Sequence, residues 1–145
     1  MKRRRKAVGT AIAVALALGH GRTTAEEDPC AHIDRILREA ATDFRAIAWP
    51  TPGNAEGVTL VLPGAKECTL RDSVYGCEWV VESPDKGIQE FEVFSGSLAQ
   101  CLKPRKFEIE RQPGLFYARR PGVASILADW SRESLTIYLE VEKEK

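Results

Sequence analysis

Four cysteines, two histidines and a few closely spaced carboxylates are the residues of this 145-residue chain whose chemistry goes beyond packing. The cysteines are Cys30, Cys68, Cys77 and Cys101. Thiolates that hold zinc come in short paired spacings, and none occurs here, so no metal site is expected and the sulfurs are read as disulfides. Cys68 and Cys77 flank Thr69 to Gly76, two short strand-like runs around a polar turn, which lets them face each other across a hairpin. Cys30 is then left to pair with Cys101. An even count leaves no free thiol to serve as a nucleophile.

Histidine offers little more. His20 falls in a segment expected to be removed, and His32 sits away from the apolar stripe of its helix, where a surface position is the plain reading. No Gly-x-Ser-x-Gly elbow is present, and Ser95-Gly96-Ser97 lacks the strand-turn-helix setting that such a nucleophile needs. Neither a P-loop nor a dinucleotide fingerprint occurs, so no cofactor is expected. Two carboxylates at a suitable separation suffice for glycoside cleavage, and Glu90 with Glu92, or Glu108 with Glu110, are the obvious pairs. The strand pair faces Arg119 and Tyr117, which predicts a solvated face with a cross-strand ion pair rather than an active site. A small carboxylate-dependent hydrolase is therefore the alternative, and the chain is not read as an enzyme.

Charge divides the sequence in two. Residues 1 to 25 carry Lys2, Arg3, Arg4, Arg5, Lys6 and Arg22 and no acid, whereas the remainder holds 15 basic against 21 acidic side chains, a formal −6. A domain this acidic gains nothing from phosphate backbones or anionic lipid surfaces, so neither nucleic acid nor membrane is an expected partner. The basic start, the uncharged run from Ala7 to Gly19 and the small-residue exit at Thr23-x-Ala25 have the layout of a secretory signal peptide. As a helix that run would reach only about 20 Å, short of the ~30 Å core of a bilayer, which favours cleavage near Ala25 over a permanent anchor. Residues 26–145 are expected to form one domain in the periplasm or outside the cell, where disulfides persist.

The elements that position these residues follow from periodicity. Asp28-Pro29 opens a helix predicted over 29–48, with Ile33, Ile36, Leu37, Ala40, Phe44 and Ile47 on one stripe beside Cys30. Trp49 to Asn54 breaks it, Val58 to Leu62 reads as a short strand, and 66–71 with 76–82 supply the disulfide hairpin. A second helix is predicted over 85–102 from the face shared by Ile88, Phe91, Phe94, Leu98, Cys101 and Leu102, although Phe91 and Val93 alone would alternate as a strand. Gly96 inside it costs about 1 kcal/mol relative to Ala. Past Pro104 the alternation becomes that of strands, at 107–110, 115–119, 123–130 and 135–142. The expected fold is an α+β two-layer sandwich: a mostly antiparallel sheet ending in a β-meander, two helices on one face and two disulfides.

Register is expected from matching apolar residues across strands, because a slip of one residue exchanges the faces. That places Trp130 opposite Leu135, Ala128 opposite Ile137, Ile126 opposite Leu139 and Ala124 opposite Val141. Phe116 then meets Ile126 and Ala118 meets Ala124, which requires a three-residue turn or a bulge at Arg120-Pro121-Gly122. On the other face, Leu115, Leu127 and Tyr138 form a row with Tyr117 beside it and Arg119 near Val123. Apolar and aromatic residues on a solvated face call for a cover, either the 49–57 loop or a partner. Tyr and Arg are enriched at protein contacts. Residues 103–120 add a local +4 from Lys103, Arg105, Lys106, Arg111, Arg119 and Arg120 against Glu108 and Glu110, and residues 67–92 a local −5. The expectation is thus a non-enzymatic domain that binds a protein through Leu115, Tyr117, Arg119, Leu127 and Tyr138 and the basic strand region. Small exported folds of this kind serve as inhibitors or immunity proteins, an analogy at fold level. A structural envelope component is the remaining alternative.

Overall fold

The computed structural model describes Asp28, residues 30–48 and residues 58–145. The leader, the cleavage position and the 49–57 loop lie outside those residues. Elements follow in the order α1 (Ala31–Ala40), β1 (Glu67–Arg71), β2 (Val74–Val80), α2 (Pro84–Leu102), β3 (Glu108–Gln112), β4 (Leu115–Arg120), β5 (Ala124–Ser131) and β6 (Thr136–Lys143). All six strands form one antiparallel sheet in the order β1-β2-β6-β5-β4-β3. The chain leaves β2, runs through α2 to the far edge, and meanders back until β6 pairs with β2. Together with two disulfides, this is the α+β architecture that the sequence implies.

α2 forms where the apolar face demands it. Ser83 caps it by accepting from the Lys86 N–H, Pro84 occupies its first turn, and Phe91, Phe94, Leu98, Cys101 and Leu102 are buried along one face. The predicted first helix is too long. α1 ends at Ala40, after which Asp43 and Phe44 adopt left-handed conformations, with φ of 53° and 59°, and the Phe44 N–H bonds back to the Glu39 carbonyl. A straight helix would carry Phe44 and Ile47 past the sheet. The turn instead buries both and stacks Phe44 on Tyr75 at 5.6 Å between ring centroids. The predicted strand at 58–62 also fails to join the sheet. Val58 makes a single bridge to Ala48, while Leu60 and Leu62 are buried with their backbone held by side chains from β2: Tyr75 Oη donates to the Leu60 carbonyl and Trp79 Nε1 to that of Pro63.

The strand faces are as expected but the register differs by two residues. Trp130 pairs with Ile137, Ala128 with Leu139, Ile126 with Val141 and Ala124 with Lys143. On the other side, Phe116 pairs with Ala128, Ala118 with Ile126 and Arg120 with Ala124, so the three-residue turn is Pro121-Gly122-Val123. The β5–β6 turn takes in Leu135, at φ 52°, whose carbonyl accepts from the Val81 N–H, and Thr136 rather than Leu135 begins β6. Side chains alternate with a period of two, so a two-residue shift keeps every residue on its side. Matching apolar residues alone therefore fixes the face and leaves the shift open.

Both disulfides join the expected partners, Cys30 with Cys101 and Cys68 with Cys77. The first ties the start of α1 to the end of α2. Arg105, in the short 3₁₀ turn after α2, reinforces the same junction, donating from Nε to Asp34 Oδ1 at 2.5 Å and from Nη2 to Oδ2 at 2.7 Å. Both helices lie on one side of the sheet. There α2 approaches so closely that a Cβ on Gly87 would sit 2.2 Å from the Trp130 ring.

Candidate functional site, the outer sheet face

Residues that pair across an antiparallel sheet project to the same side, so the ladder defines what the helix-free face presents. One row crosses the strands as Gly76, Glu140, Leu127, Tyr117 and Glu110. The next reads Glu67, Glu78, Tyr138, Asp129, Leu115 and Gln112. A third reads Val74, Glu142, Ser125, Arg119 and Glu108. All five residues expected at a partner surface therefore share this face. Leu115, Tyr117, Leu127 and Tyr138 are exposed to 38, 36, 38 and 37%. The expected single row is corrected by the two-residue register shift: Tyr117 meets Leu127 directly, while Leu115 and Tyr138 stand on either side of Asp129.

The 49–57 loop proposed as an alternative cover lies outside the described residues. Its flanks, Ala48 and Val58, are joined by a bridge, and the Thr59 N–H bonds to the Ile47 carbonyl. Ile47, Leu60 and Leu62 belong to the core on the helix side, together with Tyr75 and Trp79.

The basic run at 103–120 is not brought together. Arg105 is committed to Asp34, Arg111 turns to the helix side and meets Ser95 Oγ at 3.0 Å and Glu92 at 3.5 Å, and Arg120 donates to the Arg105 carbonyl. Arg119 alone of these arginines points outward. Its Nε is held by Glu144 at 2.5 Å, although Glu108 is its ladder neighbour as expected.

Acids outnumber bases on the outer face. It carries Glu67, Glu78, Glu108, Glu110, Asp129, Glu140 and Glu142 against Arg71 and Arg119, a formal −5. Of these, Asp129, Glu140 and Glu142 carry no expectation from the sequence, although the alternation leads from Leu127 in two residues to Asp129 and from Tyr138 in two and four to Glu140 and Glu142. Asp129 is half-buried, and the removal of water by its neighbours raises its pKa. No cation is paired with it among the described residues.

A depression of about 280 Å³ opens in this face where Gly76 contributes no side chain. Glu67, Thr69, Arg71, Glu78, Tyr138 and Glu140 surround it. Lys66 reaches Glu78 from the edge at 3.5 Å.

The carboxylate pairs considered for hydrolysis are differently placed. Glu90 and Glu92 are two positions apart on α2, so they project about 200° from each other. Glu90 is half-buried with a raised pKa from desolvation and the nearby Glu82, whereas exposed Glu92 meets Arg111. Glu108 and Glu110 lie on the flat outer face of β3, opposite Arg119 and Tyr117. His32 is half-buried on α1. Among the described residues no group of three or more His, Cys, Asp or Glu is arranged to hold a metal ion, and no helix is long and apolar enough to cross a membrane. No protein-family model matches this chain, nor does any curated protein or solved structure.

Proposed function

We propose that this protein is an exported, disulfide-stapled domain that binds another protein through the outer face of its sheet. The observation that carries the reading is the cluster of Leu115, Tyr117, Leu127 and Tyr138, each more than a third exposed on the face opposite the helices. A solvated antiparallel face ordinarily alternates to polar residues, and aromatic groups with a polar tip are typical of surfaces that part from water on binding. Export is supported by the leader-like start of the sequence and by two disulfides, which persist in oxidising compartments. The inhibitor or immunity class remains an analogy from size and architecture.

Capture from the native host tests the reading. The triple variant Tyr117→Ser, Leu127→Ser, Tyr138→Ser is expected to lose a partner that the wild-type protein retains, with its thermal unfolding midpoint nearly unchanged. Undiminished capture by the triple variant would remove this face as the binding surface.

A further inference from the structure

We infer that the partner presents a cationic polypeptide segment to this face, with Lys or Arg side chains set against Asp129 and Glu140 and apolar ones against their ladder neighbours Tyr138 and Leu127. The inference rests on the outer sheet face being the binding surface, and it names the chemistry of what binds there.

Charge segregation is the first support. Residues 26–145 carry a formal −6, and the outer face alone carries −5, so the rest of the domain is almost balanced. The negative charge is thus a property of one surface rather than of the whole molecule. A field concentrated on one face steers oppositely charged partners to it and repels phosphate-rich ones.

The arrangement of the acids is the second. They do not converge as metal ligands do, and no metal-binding group is found among the described residues. Instead they interleave with apolar residues: Glu78, Tyr138, Asp129, Leu115 along one row and Glu140, Leu127, Tyr117, Glu110 along the next. Neighbouring strands are about 4.8 Å apart, so acids and apolar groups alternate on a scale that one polypeptide segment with mixed basic and apolar side chains matches.

The depression is the third. It is floored by the one glycine of β2, where a Cβ would find its nearest neighbour, the Leu139 carbonyl oxygen, at 3.6 Å, an ordinary contact. A side chain there would thus meet Leu139, Glu140 and Thr69 at ordinary contact distance, and its absence leaves the depression. Its rim sets Glu67, Glu78 and Glu140 beside Tyr138, with Arg71 also lining it, so acids outnumber bases there and an aromatic ring stands among them. Asp129 is a second anchor, since a cation arriving there would pair a half-buried carboxylate that now stands alone among the described residues.

The experiment measures binding of two amphipathic peptides, one built of Lys and Leu and its counterpart of Glu and Leu, to the full domain by fluorescence anisotropy at low and moderate salt. The Lys peptide should bind, weakening as salt rises, and the Glu peptide should not. The isosteric double variant Asp129→Asn, Glu140→Gln should weaken the Lys peptide about tenfold, as expected for losing two partly exposed charge partners. The double variant Glu39→Gln, Glu133→Gln, which removes the same charge elsewhere, should change it less than about twofold. Circular dichroism confirms that each variant is folded. Equal binding of the two peptides, or equal losses in the two double variants, would overturn the cationic occupant. In host capture, loss of the partner by the Tyr and Leu triple variant but not by Asp129→Asn, Glu140→Gln would leave the binding surface standing and remove the cationic occupant alone.

Discussion

The two faces of this sheet are built from alternate residues of the same strands, yet they obey different constraints. On the inner side Phe116, Ala118, Ile126, Ala128, Ile137, Leu139 and Val141 are all at most 1% exposed, and their sizes are set by the helices above them. On the outer side the neighbours of those same residues are Tyr117, Leu127, Asp129, Tyr138 and Glu140, which no described helix covers. Burial of apolar area is the main source of folding free energy, so the inner face explains why the protein folds. The outer face buries less apolar area and in one place opposes folding. A half-buried aspartate without a counter-charge among the described residues is a local conflict, and such conflicts are expected where a surface is shaped for something other than folding.

Substitutions at adjacent residues test this contrast. Phe116→Ala should cost about 3–5 kcal/mol in chemical denaturation, the usual cost of removing a buried aromatic side chain, while Tyr117→Ala next to it should cost less than about 1 kcal/mol. Similar costs at both positions would mean that the outer face is buried after all.

Removing the Cys30–Cys101 bridge by Cys30→Ala with Cys101→Ala should cost about 4 kcal/mol and removing Cys68–Cys77 about 3, because the first closes a loop with a sequence separation of 71 against 9. Paired denaturation curves would measure the difference. Gly87→Ala should lower stability by about 1–3 kcal/mol despite the better helix propensity of alanine, since its Cβ would collide with the Trp130 ring.

The smallest effects concern protons, and a carboxylate at the helix junction should differ in sign from one on the outer face. Arg105 holds the Asp34 carboxyl below the ordinary aspartate value of 3.8, chiefly through their hydrogen bonds. A depressed folded-state pKa contributes stability that is present above that value and lost as the pH falls below it. Asp34→Asn should therefore flatten the acid limb of a plot of unfolding midpoint against pH. Asp129 has the opposite shift, raised by desolvation, so its charged form weakens the fold at neutral pH and protonation relieves it. Asp129→Asn should raise the neutral-pH midpoint slightly while weakening partner binding, and a lowered midpoint would contradict the account given for this residue.

Strand faces, α2 and the Cys68–Cys77 pairing are legible because each has a short-range signature, namely alternation, a shared helical stripe and two cysteines around one turn, and Cys30–Cys101 follows by elimination. What was not legible depends on distant partners. α1 stops at Ala40 because Phe44 must reach Tyr75, a contact that no local pattern announces. The β5–β6 shift depends on Leu135 entering the turn and meeting Val81. The tight seat of Gly87 under Trp130 was invisible for the same reason, since a glycine in a helix reads locally as a weakness. At the outer face the apolar members stand out because they break the polar alternation of a solvated face, whereas Asp129 and Glu140 conform to it and carry no signal.

The nested pairing of the sulfurs bears on how the protein is made. In the exported chain proposed above, delivery N-terminus first exposes Cys30, then Cys68, then Cys77, and only afterwards Cys101 near the end of α2. An oxidant acting on thiols in order of arrival would join Cys30 to Cys68 and strand the other two. Reaching the native arrangement by that route requires exchange through a mixed disulfide, so a cell lacking an isomerase should accumulate mispaired chains even when its oxidase is intact.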